Sequence, residues 1–293
     1  MKNVACIVVT YNRLALLKDC IESLRNQTDM DFDIFVINNG SSDGTEKWLS
    51  GQKDLNYITQ DNGGGAGGFY TGMKTAFEAG YEWIWMMDDD GQTDPDQLKN
   101  LLDGARQCQS KFVNALVCNI KDPSVLAFGL VNEGHGLINA EDARKFLFIS
   151  DSINPFNGTL IHRDVIKDIG FIKREMFIWG DEMEYTYRAR AAGYKQYTVT
   201  SALHFHPSIK SQQIRIIPFI SRLVVDVPNN KERAYIKYRN NGYLCHTYYP
   251  EREFKEKTKY TLYFLSRFKF RELSDFYKYF NRGARNIFEP INS

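Results

Sequence analysis

Along the chain, short runs of unbroken apolar residues alternate with longer segments whose apolar positions recur at helical spacing. Val4 to Val9 and Trp83 to Met87 are wholly apolar, the pattern of strands buried on both faces. Phe32, Ile34 and Val36 alternate into Ile37 and Asn38, and Leu55 to Thr59 forms a further short run. Between these lie helical patterns over Leu14 to Leu24 and, after a glycine-rich loop at 63–68 that would let backbone approach a ligand closely, through Ala79. Such a βαβα rhythm predicts an α/β fold with a mainly parallel sheet, in which ligands gather at the carboxyl ends of the strands. The polar clusters Thr10-Tyr11-Asn12-Arg13, Asn38 to Asp43, Asn62 to Gly68 and Asp88-Asp89-Asp90 all stand at those ends.

Further along, the pattern predicts a helix over Asp96 to Gln107, a strand over Val113 to Ile120 and short strands and loops from Val125 to Ile149. A strand at Asn157 to Ile161 leads into a helix ending near Gly170. Another helix starts at Asp181 and stops at Gly193, and a strand over Gln196 to Thr200 delivers His204 and His206. From Ser211 the segments become amphipathic, aromatic and basic. The predicted division is therefore a catalytic domain at 1–210 and a helical extension at 211–293.

Composition narrows the class. With 293 residues, 43% of them hydrophobic, the chain can bury a full core. A net charge of +1 gives no whole-molecule case for nucleic acid, although basic residues outnumber acidic ones about two to one from Pro228 onward. The five cysteines are scattered without ligand spacing, which suits a reduced compartment. No leader pattern opens the sequence and no apolar stretch approaches the ~20 residues of a membrane span. The expected location is cytoplasmic, or peripheral at a membrane surface.

Three adjacent carboxylates repel one another, so Asp88-Asp89-Asp90 at the mouth of a buried strand points to a bound cation; the bland alternative is an acidic turn. Gly63, Gly65 and Gly68 satisfy GxGxxG, but two strand-helix units precede them and the acid that follows is a triplet, unlike the dinucleotide fingerprint. Asp181 and Glu182 at a helix start suit either the helix dipole or a general base. Trp179 beside them is either core or a platform for a sugar ring. His204 and His206 share one face of a strand, and one imidazole with Asp88 and Asp90 would suit Mn²⁺, or Mg²⁺, better than zinc.

Taken as a set, Val9 to Arg13, Asn38 to Thr45, Asn62 with the glycine run, the Asp triplet, Asp181-Glu182-x-Glu184-Tyr185 and His204 resemble family 2 glycosyltransferases of the GT-A fold, over about residues 3 to 210. The Gly-Gly-Ala-Gly-Gly-Phe stretch and the triplet look most like bacterial galactofuranosyltransferases, with rhamnosyltransferases next. The resemblance implies a Rossmann-like sheet and a nucleotide-sugar donor held by Thr10, Tyr11, Asn12, Arg13, Asn38, Asn62, Gly64, Gly65, Gly67, Gly68 and Asp89. It implies a metal on Asp88, Asp90 and His204, Glu182 as catalytic base with Asp181 as rival, and Trp179 and Glu184 toward the acceptor. Asn38 departs from the Asp usual at its position, and offers a donor as well as an acceptor.

The expected reaction is inverting transfer of galactofuranose from UDP-galactofuranose to a glycan or lipid-linked saccharide. Rhamnosyl transfer from dTDP-rhamnose is the nearest alternative. A nucleotidyltransferase, or a binding module without turnover, are rivals of other kinds. Lys255, Lys257, Lys259, Arg267, Lys269 and Arg271 interleave with Tyr260, Tyr263, Phe264, Phe268 and Phe270. That pattern suits either a helix on anionic lipid or a basic face folded onto the protein.

Overall fold

The computed structural model describes residues 2–208, 213–216, 223–228 and 231–288. The expected domain boundary at 210 lies outside them. The chain forms two compact units, one of Met1–Ile172 with Tyr185–Ile209, the other of Lys173–Glu184 with Lys210–Ser293.

In the first unit, β1 (Val4–Thr10), β2 (Phe32–Asn38), β3 (Leu55–Thr59) and β4 (Trp83–Asp88) are parallel neighbours in the order β3-β2-β1-β4. They are joined by α1 (Leu14–Arg25), α2 (Thr45–Leu49) and α3 (Gly64–Glu78). β1 is buried along its whole length because both faces are covered. Val4, Cys6 and Val8 pack with Leu17, Ile21 and Leu24 of α1, while Ala5, Ile7 and Val9 pack with Phe69, Met73 and Ala76 of α3. Period-2 side chains thus reach two separate cores, which is why the run carries no polar residue before Thr10.

Beyond β4 the sheet is mixed. After β5 (Gln92–Thr93) and α4 (Gln97–Gln107) come β6 (Phe112–Asn119), β7 (Asp122–Asn132), β8 (His135–Asn139), α5 (Ala140–Ala143) and β9 (Phe148–Ser150). β10 (Asn157–His162) runs antiparallel to both β4 and β6, then α6 (Arg163–Ile169) and α7 (Asp181–Ala191) lead to β11 (Tyr197–His206). β11 lies parallel to β6 and antiparallel to β5. The strand expected over 196–200 therefore continues to His206, with a shift of register against β6 between Val199 and Leu203. The glycine run, expected as a ligand loop, is the first two turns of α3. Gly68 and Gly72 allow close packing there, because a Cβ at either would fall 2.4 Å from Val9 Cγ1 or 2.2 Å from Ile7 Cγ2.

The second unit is built on β12 (Gln213–Arg215) paired with β13 (Val224–Asp226), and on α8 (Ala234–Tyr248), α9 (Pro250–Leu265) and α10 (Phe270–Ala284). Its core joins Tyr238, Cys245, Tyr260, Tyr263, Phe264, Phe276 and Phe280. The amphipathic stretch from 260 to 280 is thus two helices, with Tyr260, Tyr263 and Phe264 turned inward and Phe268 and Phe270 exposed. α8 and α10 cross at glycines: an added Cβ would lie 2.0 Å from Phe280 O at Gly242 and 1.7 Å from Arg239 O at Gly283.

Candidate functional site

The register of the sheet assembles the first cluster. β1 and β4 pair Val9 with Asp88, so the residues that follow, Thr10 and Asp89, emerge side by side. Thr10 Oγ1 donates to Asp89 Oδ2 at 2.6 Å. Arg13 Nη1 donates to Asp89 Oδ1 at 3.2 Å and to Asp90 Oδ2 at 2.9 Å. β5, which follows the triplet directly, pairs with β11 at His204 and Phe205, and two residues after His204 the His206 Nε2 stands 3.0 Å from Asp90 Oδ1.

The charges follow from burial and these partners. Burial pushes Asp88 up to about 7, with the neighbouring Asp90 and Asp89 carboxylates adding to it. Burial also raises Asp89, against its bonds to Thr10 and Arg13. Asp90 is likewise pushed up by burial, but the hydrogen bond and charge of His206, with Arg13, outweigh this and hold it below the usual carboxylate range. His206 is raised in turn, since Asp90 overcomes the effect of burial.

This carboxylate cluster is short of positive charge, and oxygens beside an imidazole are the donor types that suit Mn²⁺ or Mg²⁺. The residue types fit a divalent cation. Among the described residues, however, no three His, Cys, Asp or Glu side chains already converge as a ready cage. The histidine beside the triplet is His206 rather than the expected His204. His204 is fully buried, its Nδ1 lies 3.3 Å from Gln97 Oε1, and burial pulls it down to about 3. Its Nε2 has no hydrogen-bond partner among the described residues and faces Gly91, where a Cβ would come within 2.3 Å of it.

The expected nucleotide residues line the neighbouring strand ends. Tyr11 is exposed. Asn12 has φ +53° and accepts from Ser42 N at 2.7 Å, tying the β1 end to the turn after β2. Asn38 is fully buried; its Oδ1 accepts from Ser41 N and its Nδ2 donates to Thr59. Asn62 Oδ1 accepts from Gly64 N, which starts α3, and Gly65 has open space where a side chain would be. Gly67 has only Gln60 Nε2 near, at 4.0 Å, whereas Gly68 is buried against Val9. Asp43, just before α2, accepts from Thr45 and also from Leu14 N at the start of α1.

The acids at the start of α7 belong to the second unit and follow a contorted loop. Phe177 and Trp179 have φ +67° and +66°, and Gly180 has +96°. Phe177 pairs that φ with ψ −59°, and Ile178 N donates to Met176 O at 2.8 Å. This is the rare, strained form of γ-turn, and non-glycine residues so held cost about 1–3 kcal/mol each. Asp181 is buried, Glu182 is partly exposed, and Glu182 Oε2 accepts from Gly180 N at 3.2 Å. Glu184, expected toward the acceptor, is buried and accepts from Tyr248 Oη at 2.9 Å. Trp179 and Gly180 line a cavity of about 370 Å³ in this unit, with Tyr260, Asn241 and the ion-paired Lys237–Asp226 and Lys259–Glu256.

The sequence of residues 5–170 matches the model of Glycosyl transferase family 2. The chain belongs to that family. This glycosyltransferase is 30% identical over 253 residues to the galactofuranosyltransferase GlfT1 of Mycolicibacterium smegmatis, covering 82% of each chain. It is 32% identical to the protein of the same name from Mycobacterium tuberculosis, over 83% of this chain and 82% of that one. Its fold is GT-A, shared with S. aureus TarS 1–349 in complex with UDP at a TM-score of 0.52 and 16% identity, over 71% of this chain and 60% of that one. A mannosyltransferase from Pyrobaculum calidifontis in complex with GDP-Man and Mn²⁺ aligns at 0.50 and 15% identity, over 85% of this chain and 63% of that one.

Sequence patterns therefore reach the strand-end cluster and the acids of α7. They miss His206 as the triplet's neighbour, although alternation puts it on the face of His204. They also miss Gln97 and the α8 residues around the 175–180 loop, for which no local spacing carries a signal.

Proposed function

We propose that this glycosyltransferase moves galactofuranose from UDP-galactofuranose onto a glycan or lipid-linked saccharide, by a single inverting displacement that uses a divalent metal. The observation that carries the donor assignment is the 30–32% identity to mycobacterial galactofuranosyltransferases across more than four-fifths of both chains. Thr10, Arg13 and Asp89 set the edge of the diphosphate site, and Tyr11, Asn12, Asn38, Asn62 and Gly64 to Gly67 border the nucleotide. Asp88 and Asp90 would hold Mn²⁺ or Mg²⁺, with His206 joining them in preference to His204, since His206 adjoins Asp90. A cation there would offset charge on the departing diphosphate.

Glu182 accepts the proton of an acceptor hydroxyl, with Asp181 as the rival carboxylate. The hydroxyl oxygen bonds to the anomeric carbon from the face opposite the diphosphate, the bond to the diphosphate oxygen breaks, and the configuration inverts. The cavity beside Trp179 suits a neutral sugar ring, since each ion pair offers hydroxyls both a donor and an acceptor. No described helix is long and apolar enough to cross a membrane. Exposed Phe268 and Phe270 beside Lys269 and Arg271 support peripheral contact with anionic lipid at the cytoplasmic face.

The test is nucleotide release and sugar transfer from UDP-galactofuranose, UDP-galactopyranose, UDP-glucose and dTDP-rhamnose, each with Mn²⁺ and with EDTA. Metal-dependent turnover of the furanose donor alone is expected. Turnover of dTDP-rhamnose instead would overturn the donor, and binding without product would overturn the reaction.

A further inference from the structure

α8 grips the loop ahead of Asp181 through side chains that the proposed chemistry leaves unused. Asn240, fully buried, directs Nδ2 at three backbone carbonyls, Met176 O at 2.9 Å and Ile178 O and Trp179 O at 3.0 Å each. Arg239, also buried, donates from Nη2 to Glu175 O at 3.1 Å and Met176 O at 3.2 Å. Its Nε donates to Asn240 Oδ1 at 3.1 Å, and its guanidinium lies over the Phe288 ring at 4.6 Å. Later in the same helix, Tyr248 holds Glu184. α8 therefore fixes the chain on both sides of Asp181 and Glu182.

We infer that Arg239 and Asn240 are positioning residues for the proton-accepting carboxylate, clamping the 175–180 loop in the strained path from which α7 starts. The left-handed turns at Phe177 and Trp179 point several carbonyls inward, and such a path persists only while those carbonyls have donors. An arginine and an asparagine adjacent in sequence supply them, and brace each other. A chain released there relaxes toward ordinary backbone angles and carries the first turn of α7 with it. Misplacement of a reacting group by about 1 Å can cost about 10²-fold in rate. The donor residues Thr10, Arg13 and Asp88 to Asp90 make no use of the clamp, so loss should fall on proton removal rather than on nucleotide binding.

The inference rests on the reading of Glu182, or Asp181, as the base, and the experiment separates the two. Asn240→Asp keeps the side chain's size and removes its donors; Asn240→Ser and Arg239→Lys are gentler companions. For each, UDP affinity with Mn²⁺ is measured by calorimetry, kcat and KM for transfer by product formation, and hydrogen exchange over 174–184 by mass spectrometry. Expected are a fall in kcat of about 10- to 100-fold, UDP affinity and donor KM within about twofold, and faster exchange at 174–184. Arg239→Lys, which keeps the charge, should recover part of kcat. Unchanged kcat, or a parallel loss of nucleotide affinity and turnover, would overturn the clamp, as would failure of all three variants to fold, which would assign the pair to general stability. Glu182→Gln and Asp181→Asn run alongside: if both keep transfer, the base reading fails, whereas the exchange result still decides whether the loop is held.

Discussion

The strand-end cluster of the first unit and the loop ahead of α7 in the second are built in opposite ways. At the strand ends, ionisable side chains face one another: Arg13 and His206 meet Asp89 and Asp90, and neighbours in the sheet bring them together. In the loop, carbonyls of the backbone are held by the neutral amide of Asn240 and by Arg239, from a helix more than sixty residues later. The first arrangement is a reservoir of negative charge that a cation or a charged ligand can rebalance. The second holds the backbone path that leads into Asp181 and Glu182. On the proposed function, charge stabilisation falls to the first and aim to the second, and mutations should separate them.

The largest separation is expected from Asp90→Asn, which keeps the shape of the side chain and removes its charge. UDP binding should lose its dependence on Mn²⁺, and transfer should fall about 10²- to 10³-fold, while hydrogen exchange over 174–184 stays at the wild-type rate. Exchange that rises with this substitution would mean that the two regions are not independent.

A smaller effect, and in stability rather than chemistry, is expected from Gly283→Ala. The new Cβ would meet the Arg239 carbonyl at 1.7 Å, so α8 and α10 must move apart at a cost of about 3 kcal/mol. Thermal unfolding should show this loss, with UDP affinity retained. A melting temperature equal to the wild type would show that the helix crossing tolerates separation.

The smallest is a pH effect at Asp43. The Thr45 hydroxyl, with backbone amides, holds its carboxyl below the ordinary value of 3.8, against the opposing effect of burial. A depressed acid contributes stability above its unfolded pKa and loses it as pH falls through the folded one. Between pH 5 and pH 3 the wild type should therefore lose more melting temperature than Asp43→Asn does, by about 2 °C. Equal losses would remove Asp43 from the acid response.

Much of the first region was legible because strands buried on both faces are written as unbroken apolar runs. The run from Val4 to Val9 ends where its polar residues begin, and Trp83 to Met87 ends at the triplet, so both strand mouths could be located from apolar pattern alone. The antiparallel β10 could not, since a buried apolar run looks the same in either direction. The role of Gly68 was hidden for a similar reason: the reading of a glycine run as ligand loop or as helix packing depends on whether Val9 lies beneath it. His204 and His206 were equivalent by alternation; Gly91 and Gln97, folded against His204, and Asp90, beside His206, distinguish them. In the second region, Asp181 and Glu182 stood out as charges at a helix start. Asn240 and Arg239 did not, because their partners are backbone carbonyls, which leave no mark in a sequence.

The most direct measurement is the pairing of nucleotide affinity with transfer rate in Glu182→Gln, using UDP-galactofuranose and Mn²⁺. If Glu182 removes the acceptor's proton while the strand-end cluster holds the donor, kcat should fall by about 10²- to 10⁴-fold with UDP affinity unchanged. A loss of only a few fold, or a loss of affinity that matches the loss of rate, would contradict that division of labour.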